Sequence, residues 1–65
     1  MTHTPTLSDA AAAFAVAVTA EHDGATDLAE AARRVMLAFA AGGSVTDQDW
    51  RRVSASHEAL CAAMA

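Results

Sequence analysis

Apolar positions along this chain fall into three runs at helical spacing, separated by short polar breaks. The first run is Ala10–Val18, nine residues without a polar side chain. Ser8 before it is a good N-cap, Asp9 suits a first helical turn, and Leu7 at N′ can staple onto Ala12. Asp23-Gly24 ends this helix, because glycine takes the left-handed C′ conformation without strain. A second helix starts near Thr26 or Asp27, where Asp27-Leu-Ala-Glu30 reads as a capping box. Its apolar stripe is Leu28, Ala31, Ala32, Val35 and Phe39, and Gly42-Gly43 stops it. The third helix has Thr46 as N-cap, Asp49 at N3 and Val45 stapled to Trp50. Its stripe runs through Trp50, Val53, His57, Leu60, Cys61 and Met64. No segment alternates with period two, so no strand is expected. Short connections favour antiparallel neighbours. The predicted fold is all-α, a small three-helix bundle over residues 7–65, preceded by a flexible N-terminal arm over 1–6.

Helix one differs from the other two in having apolar groups all round. Ala11, Phe14, Ala15 and Val18 share one face; Ala13, Val16, Ala17 and Ala20 share the opposite one. Only one face can close the bundle. With the Phe14 face turned inward, Ala13 and Val16 are left on a contiguous apolar surface that a partner or a second copy would cover. The plainer alternative is an alanine-rich helix that stays wet on its small side. On helix two, Leu37 falls among Glu30, Arg33, Arg34 and Ala41, a large apolar group rimmed by charge as in an interface. A lone exposed leucine is the plainer alternative there.

Composition narrows the function. The apolar fraction is 54%, but 19 of those residues are alanine, so the core is poor in large groups. A 65-residue chain buries only about 60% of its unfolded surface, which leaves little stability in hand. The net charge is −4, lysine is absent, and the positive charges are two pairs, Arg33-Arg34 and Arg51-Arg52. Nucleic-acid binding needs a basic stripe to release counterions, and this chain has none. The apolar runs are too short for a bilayer span. The start lacks the marks of a signal peptide. A single cysteine excludes an internal disulfide and fits a cytoplasmic setting.

Candidate chemistry is sparse. His57 and Cys61 share a helix face, as in half of a helical zinc site, and His22 with Asp23 could complete it. The spacing is common by chance, so the reading is no metal, with His57 at the core edge beside a buried Cys61. As a nucleophile Cys61 is badly placed, since the dipole at a helix C-terminus opposes a thiolate. Ser54 near His57 lacks an orienting acid and an oxyanion hole. Asp47 and Asp49 suit the first turn of a helix without any further role. Neither enzymatic activity nor a cofactor is expected.

One stretch carries a family resemblance. Thr19-Ala-Glu-His-Asp23-Gly24 resembles the inhibitory motif of the VbhA-type antitoxins of Fic AMP-transferases, where Ser or Thr is followed four residues on by Glu and then Gly or Asn. Gly43-Ser44-Val45-Thr46 is similar to the turn that opens the third helix in that family, and the resemblance spans about Ala10–Val53. It implies a small three-helix inhibitor. Asp23 would occupy an arginine in the transferase's nucleotide site, with Thr19 shaping that contact. The carboxylate here is Asp23 rather than glutamate, one methylene shorter, and the stretch from Gly24 to the second turn is longer. The function expected is a protein-binding regulator of antitoxin or inhibitor type, with Thr19, Asp23, Gly24, Ala13, Val16 and Leu37 as contacts. A non-catalytic subunit of an enzyme assembly or phage particle is the alternative.

Overall fold

A computed structural model describes residues 1–64. Three helices, α1 (Leu7–Asp23), α2 (Thr26–Ala41) and α3 (Asp47–Met64), form a small three-helix bundle. Two short strands, β1 (Thr2–His3) and β2 (Val45–Thr46), pair antiparallel with Thr2 opposite Thr46 and His3 opposite Val45. Among the described residues no helix is long and apolar enough to cross a membrane.

Residues 1–6, expected as a flexible arm, lie against the bundle in this structure, and the expectation of no strand does not hold. The arm runs back to the start of α3, where the Asp47 N–H donates to the Met1 carbonyl at 3.1 Å. Pro5 is buried. The His3 ring stacks on Trp50 with centroids 4.3 Å apart and 9° between the planes. Its Nε2 lies 2.9 Å from Asp9 Oδ2. Pairs of residues so distant in sequence leave no periodic trace in a two-residue strand.

Each helix end has a local cause; α2 starts at Thr26 as expected, but the capping residues of α1 and α2 differ from the sequence expectation. Thr6, not Ser8, caps α1: its Oγ1 accepts from Asp9 N–H at 3.2 Å, and its own N–H donates to Asp9 Oδ2 at 3.0 Å. Thr6 has an acid three residues on to close this capping box, whereas Ser8 has Ala11. Leu7 stays exposed, so it makes no staple. At α2 the N-cap is Ala25, which offers no side-chain bond. Asp27 is not the cap: the Ala25 carbonyl already accepts from Ala29 N–H at 3.0 Å, which sets the cap two residues earlier. Thr46 does cap α3, accepting from Asp49 N–H at 3.2 Å.

Both glycine stops are as expected. Gly24 and Gly42 have φ of +76° and +70°. In each case the next residue reaches back across the turn, Ala25 N–H to the Ala20 carbonyl and Gly43 N–H to the Ala38 carbonyl, both at 2.8 Å. This pattern satisfies helix-end carbonyls that would otherwise lack donors.

The core is built from small groups. Its three largest fully buried side chains are valines, Val16, Val35 and Val53, one from each helix. Ala13, Ala17, Ala31, Ala32 and Val45 fill the space between them, and Leu28, Met36, Trp50 and Leu60 seal the edge. Phe39 lies at the exposed margin, and Cys61 and Met64 are exposed in the last turn of α3.

Consequently the two faces of α1 are the reverse of the sequence expectation. Ala13 and Val16 are fully buried, while Phe14 is 62% and Val18 53% exposed. The physical reason lies across the interface. Ala29, Ala31 and Ala32 of α2 are buried. The inward faces of both helices are small, and an inward Phe14 would hold them apart. Alanine against alanine lets the backbones approach closely, and the lost side-chain area is recovered as contact between tightly packed main chains.

Candidate functional site at the end of the first helix

Thr19, Asp23 and Gly24 lie on the last turn and stop of α1. A spacing of four residues sets Thr19 and Asp23 one above the other on one side of the helix. The Thr19 hydroxyl donates to the Ala15 carbonyl at 3.0 Å, so its orientation is fixed by its own helix. Asp23 is exposed. Its neighbour Glu21 is ion-paired with Arg33 of α2, and Asp9 is hydrogen-bonded to His3. Among the described residues no cation pairs with Asp23. The α1 dipole puts partial negative charge at this end, so the Asp23 carboxylate is poorly stabilised by its own helix. A cation supplied from outside would meet it at little cost.

The remaining sequence candidates are elsewhere. Ala13 and Val16 are in the core and cannot contact a partner in the folded chain. Leu37 is 68% exposed on the outer side of α2. It lines an open groove with Arg34, Ala38, Ala41, Val45 and Asp49. That groove is about 16 Å along the α2 axis from Thr26, so Leu37 and Asp23 do not form one site.

His57 and Cys61 are neighbours, with Sγ 3.6 Å from Nε2. Cys61 is exposed rather than buried, because the last turn of α3 has no helix over it. His22 and Asp23 are not brought to this pair, and among the described residues no three potential ligands are grouped around a metal position.

One side-chain ion pair joins α3 to α2 and had no local signature. Arg34 Nε and Nη2 donate to the two Asp49 carboxylate oxygens at 2.9 and 3.1 Å. The hydrogen bond from Arg34 holds the Asp49 carboxyl below its ordinary range, against the opposing effect of burial. Burial acts to raise the pKa of Asp9, but the Thr6 and His3 hydrogen bonds and the His3 charge outweigh it and leave Asp9 lowered. Asp47 and Arg51 form an exposed pair at 2.8 Å.

Comparison with protein-family models, with curated proteins and with solved structures gives no match for this chain.

Proposed function

We propose that this chain is a small protein-binding regulator of the inhibitor or antitoxin type, which presents Asp23 to an arginine of its target. The supporting observation is the exposed Asp23 carboxylate, without a partner cation among the described residues, near a Glu21 that has one. A carboxylate at a helix C-terminus gains from an external guanidinium, which it can bind through both oxygens. If that guanidinium is needed for the phosphates of a nucleotide, occupying it blocks the target. The resemblance of Thr19–Gly24 to the antitoxin motif supports a Fic-type AMP-transferase as that target. Catalysis by the chain itself is not part of this reading.

The test is inhibition of a purified Fic-type transferase by the parent chain and two variants. Asp23→Ala should leave the helical circular dichroism unchanged and weaken inhibition by about 10- to 150-fold, the equivalent of losing a charge-assisted bond of roughly 1.5–3 kcal/mol. Asp23→Glu should retain or tighten inhibition. Equal potency of parent, Asp23→Ala and Asp23→Glu would remove the reading.

A second reading, a non-catalytic subunit of a larger assembly, is favoured by the exposed Leu7, Phe14, Val18 and Leu37. It predicts that the isolated chain is molten or poorly soluble, whereas an inhibitor folds alone.

A further inference from the structure

The outer face of α1 carries three of the exposed large apolar side chains on one helix. Leu7, Phe14 and Val18 are 71%, 62% and 53% exposed. Ala11 and Ala15 between them are exposed too. At 100° per residue, Leu7, Ala11, Phe14 and Val18 centre on the side of α1 directly opposite Ala13, Val16 and Ala20. Water therefore meets large apolar groups where the helix is furthest from its own core. Their spacing of four, three and four residues is the a/d seam of a coiled coil, a face shaped for another helix.

We propose that two copies of this chain pair through this face of α1, antiparallel about a two-fold axis. With the axis between Ala11 and Phe14, Phe14 of one copy lies over the partner's Ala11 and Leu7 lies against the partner's Val18. Each bulky group then meets a smaller one at both of its symmetry-related positions, as an isologous interface requires. A parallel pairing would instead stack Phe14 on itself and leave Ala11 facing Ala11. Antiparallel packing also opposes the two helix dipoles.

Charge favours a second copy over other occupants. The strip from Ala10 to Val18 carries no ionisable group, so two chains of net charge −4 meet there without placing like charges together. A lipid surface would need flanking Lys or Arg, and α1 has neither. Area sets the strength. From Leu7 to Val18 the strip is about 17 Å long and one helix wide, so pairing hides on the order of 400–500 Å² per copy. That is roughly a tenth of the 4128 Å² surface and about half of a standard interface, the size of a weak, reversible contact rather than of an obligate dimer.

Sedimentation equilibrium of the full chain from about 10 μM to 1 mM tests this, with Cys61→Ser throughout so that the exposed thiol cannot link copies. A monomer–dimer equilibrium is expected. Phe14→Glu should raise the dissociation constant about 100-fold, since two rings leave one interface, with helical circular dichroism unchanged. Phe14→Ala and Ala11→Phe should each weaken the dimer. The double swap Ala11→Phe/Phe14→Ala should restore it to within a few-fold, because large again meets small. Asp23→Ala should have no effect on the equilibrium, which separates this proposal from target inhibition. A parent chain that stays monomeric at about 1 mM, a dimer indifferent to Phe14→Glu, or a double swap no better than Phe14→Ala would each overturn the proposal.

Discussion

The α1–α2 hairpin and α3 are attached to the same core by different means. Between α1 and α2 the interface is nearly all alanine and valine, and one solvent-side ion pair, Glu21 with Arg33, lies across it. Helix α3 contributes one fully buried side chain, Val53. Around it are directional contacts: the paired Arg34 and Asp49, the His3–Trp50 stack, and the strand pair that brings residue 46 against residue 2. A close-packed seam of small residues is intolerant of volume but indifferent to pH. A helix held by an ion pair and a ring stack is the reverse. A chain this poor in large apolar groups uses close approach where both faces are small and polar clasps where they are not.

Volume is the sharpest way to break the contrast. Ala31→Leu, inside the hairpin seam, should cost about 1–3 kcal/mol through overpacking. A domain of this size has about 3–10 kcal/mol in total, and the melting temperature should fall by about 5–20 °C. Ala40→Leu, on the exposed side of the same helix, should stay within about 0.5 kcal/mol of the parent. Thermal melts followed by far-ultraviolet circular dichroism compare them. Equal effects at the two positions would mean that the seam is not tightly packed.

Removing the ring stack is the next largest change. His3→Ala should lose about 0.5–1.5 kcal/mol in urea denaturation and alter Trp50 emission in the native state, while helix content is retained. A variant with parent-like emission would show that the arm is not docked.

The smallest effect separates α3 from the hairpin by pH. The Asp49 carboxyl is lowered from its ordinary 3.8. A depressed folded-state pKa gives stability that is present above the unfolded value and lost as pH falls through the folded one. Parent should therefore exceed Asp49→Asn in stability at pH 7, and the gap should close on acidification below about pH 4. A gap that persisted at low pH would assign the loss to packing rather than to the Arg34 pair.

The helices and their glycine stops were legible because their causes are local. Gly24 and Gly42 sit where the periodic runs end, and Thr46-x-x-Asp49 announces α3. The caps of α1 and α2 were misread by a turn or less: Thr6 competes with Ser8, and the Ala25 turn needs no side chain. The inward face of α1 was misread for a different reason. Hydrophobic patterning assigns the larger side chains to the interior, so Phe14 and Val18 outweigh Ala13 and Val16. Only the alanines of α2 decide otherwise, and that is information about a neighbour rather than about α1. The docked arm and the Arg34–Asp49 pair are of the same kind, since each joins residues far apart in sequence. For the candidate site, Thr19, Asp23 and Gly24 were legible as one helix end, and Leu37 as exposed. That Glu21 is engaged and Asp23 is not required knowing where Arg33 points.

The strand pair has a consequence in time. It joins Thr2 to Thr46, so its two halves bracket the whole α1–α2 hairpin. Contacts within that hairpin are between sequence neighbours and can form on the microsecond scale, whereas the clasp must wait for a much larger loop to close. The order of events follows: the two alanine faces meet early, and β1 locks against β2 late. Substitutions in β1 should then speed unfolding and leave the folding rate nearly untouched, so the clasp acts as a brake on opening rather than as a seed of the fold.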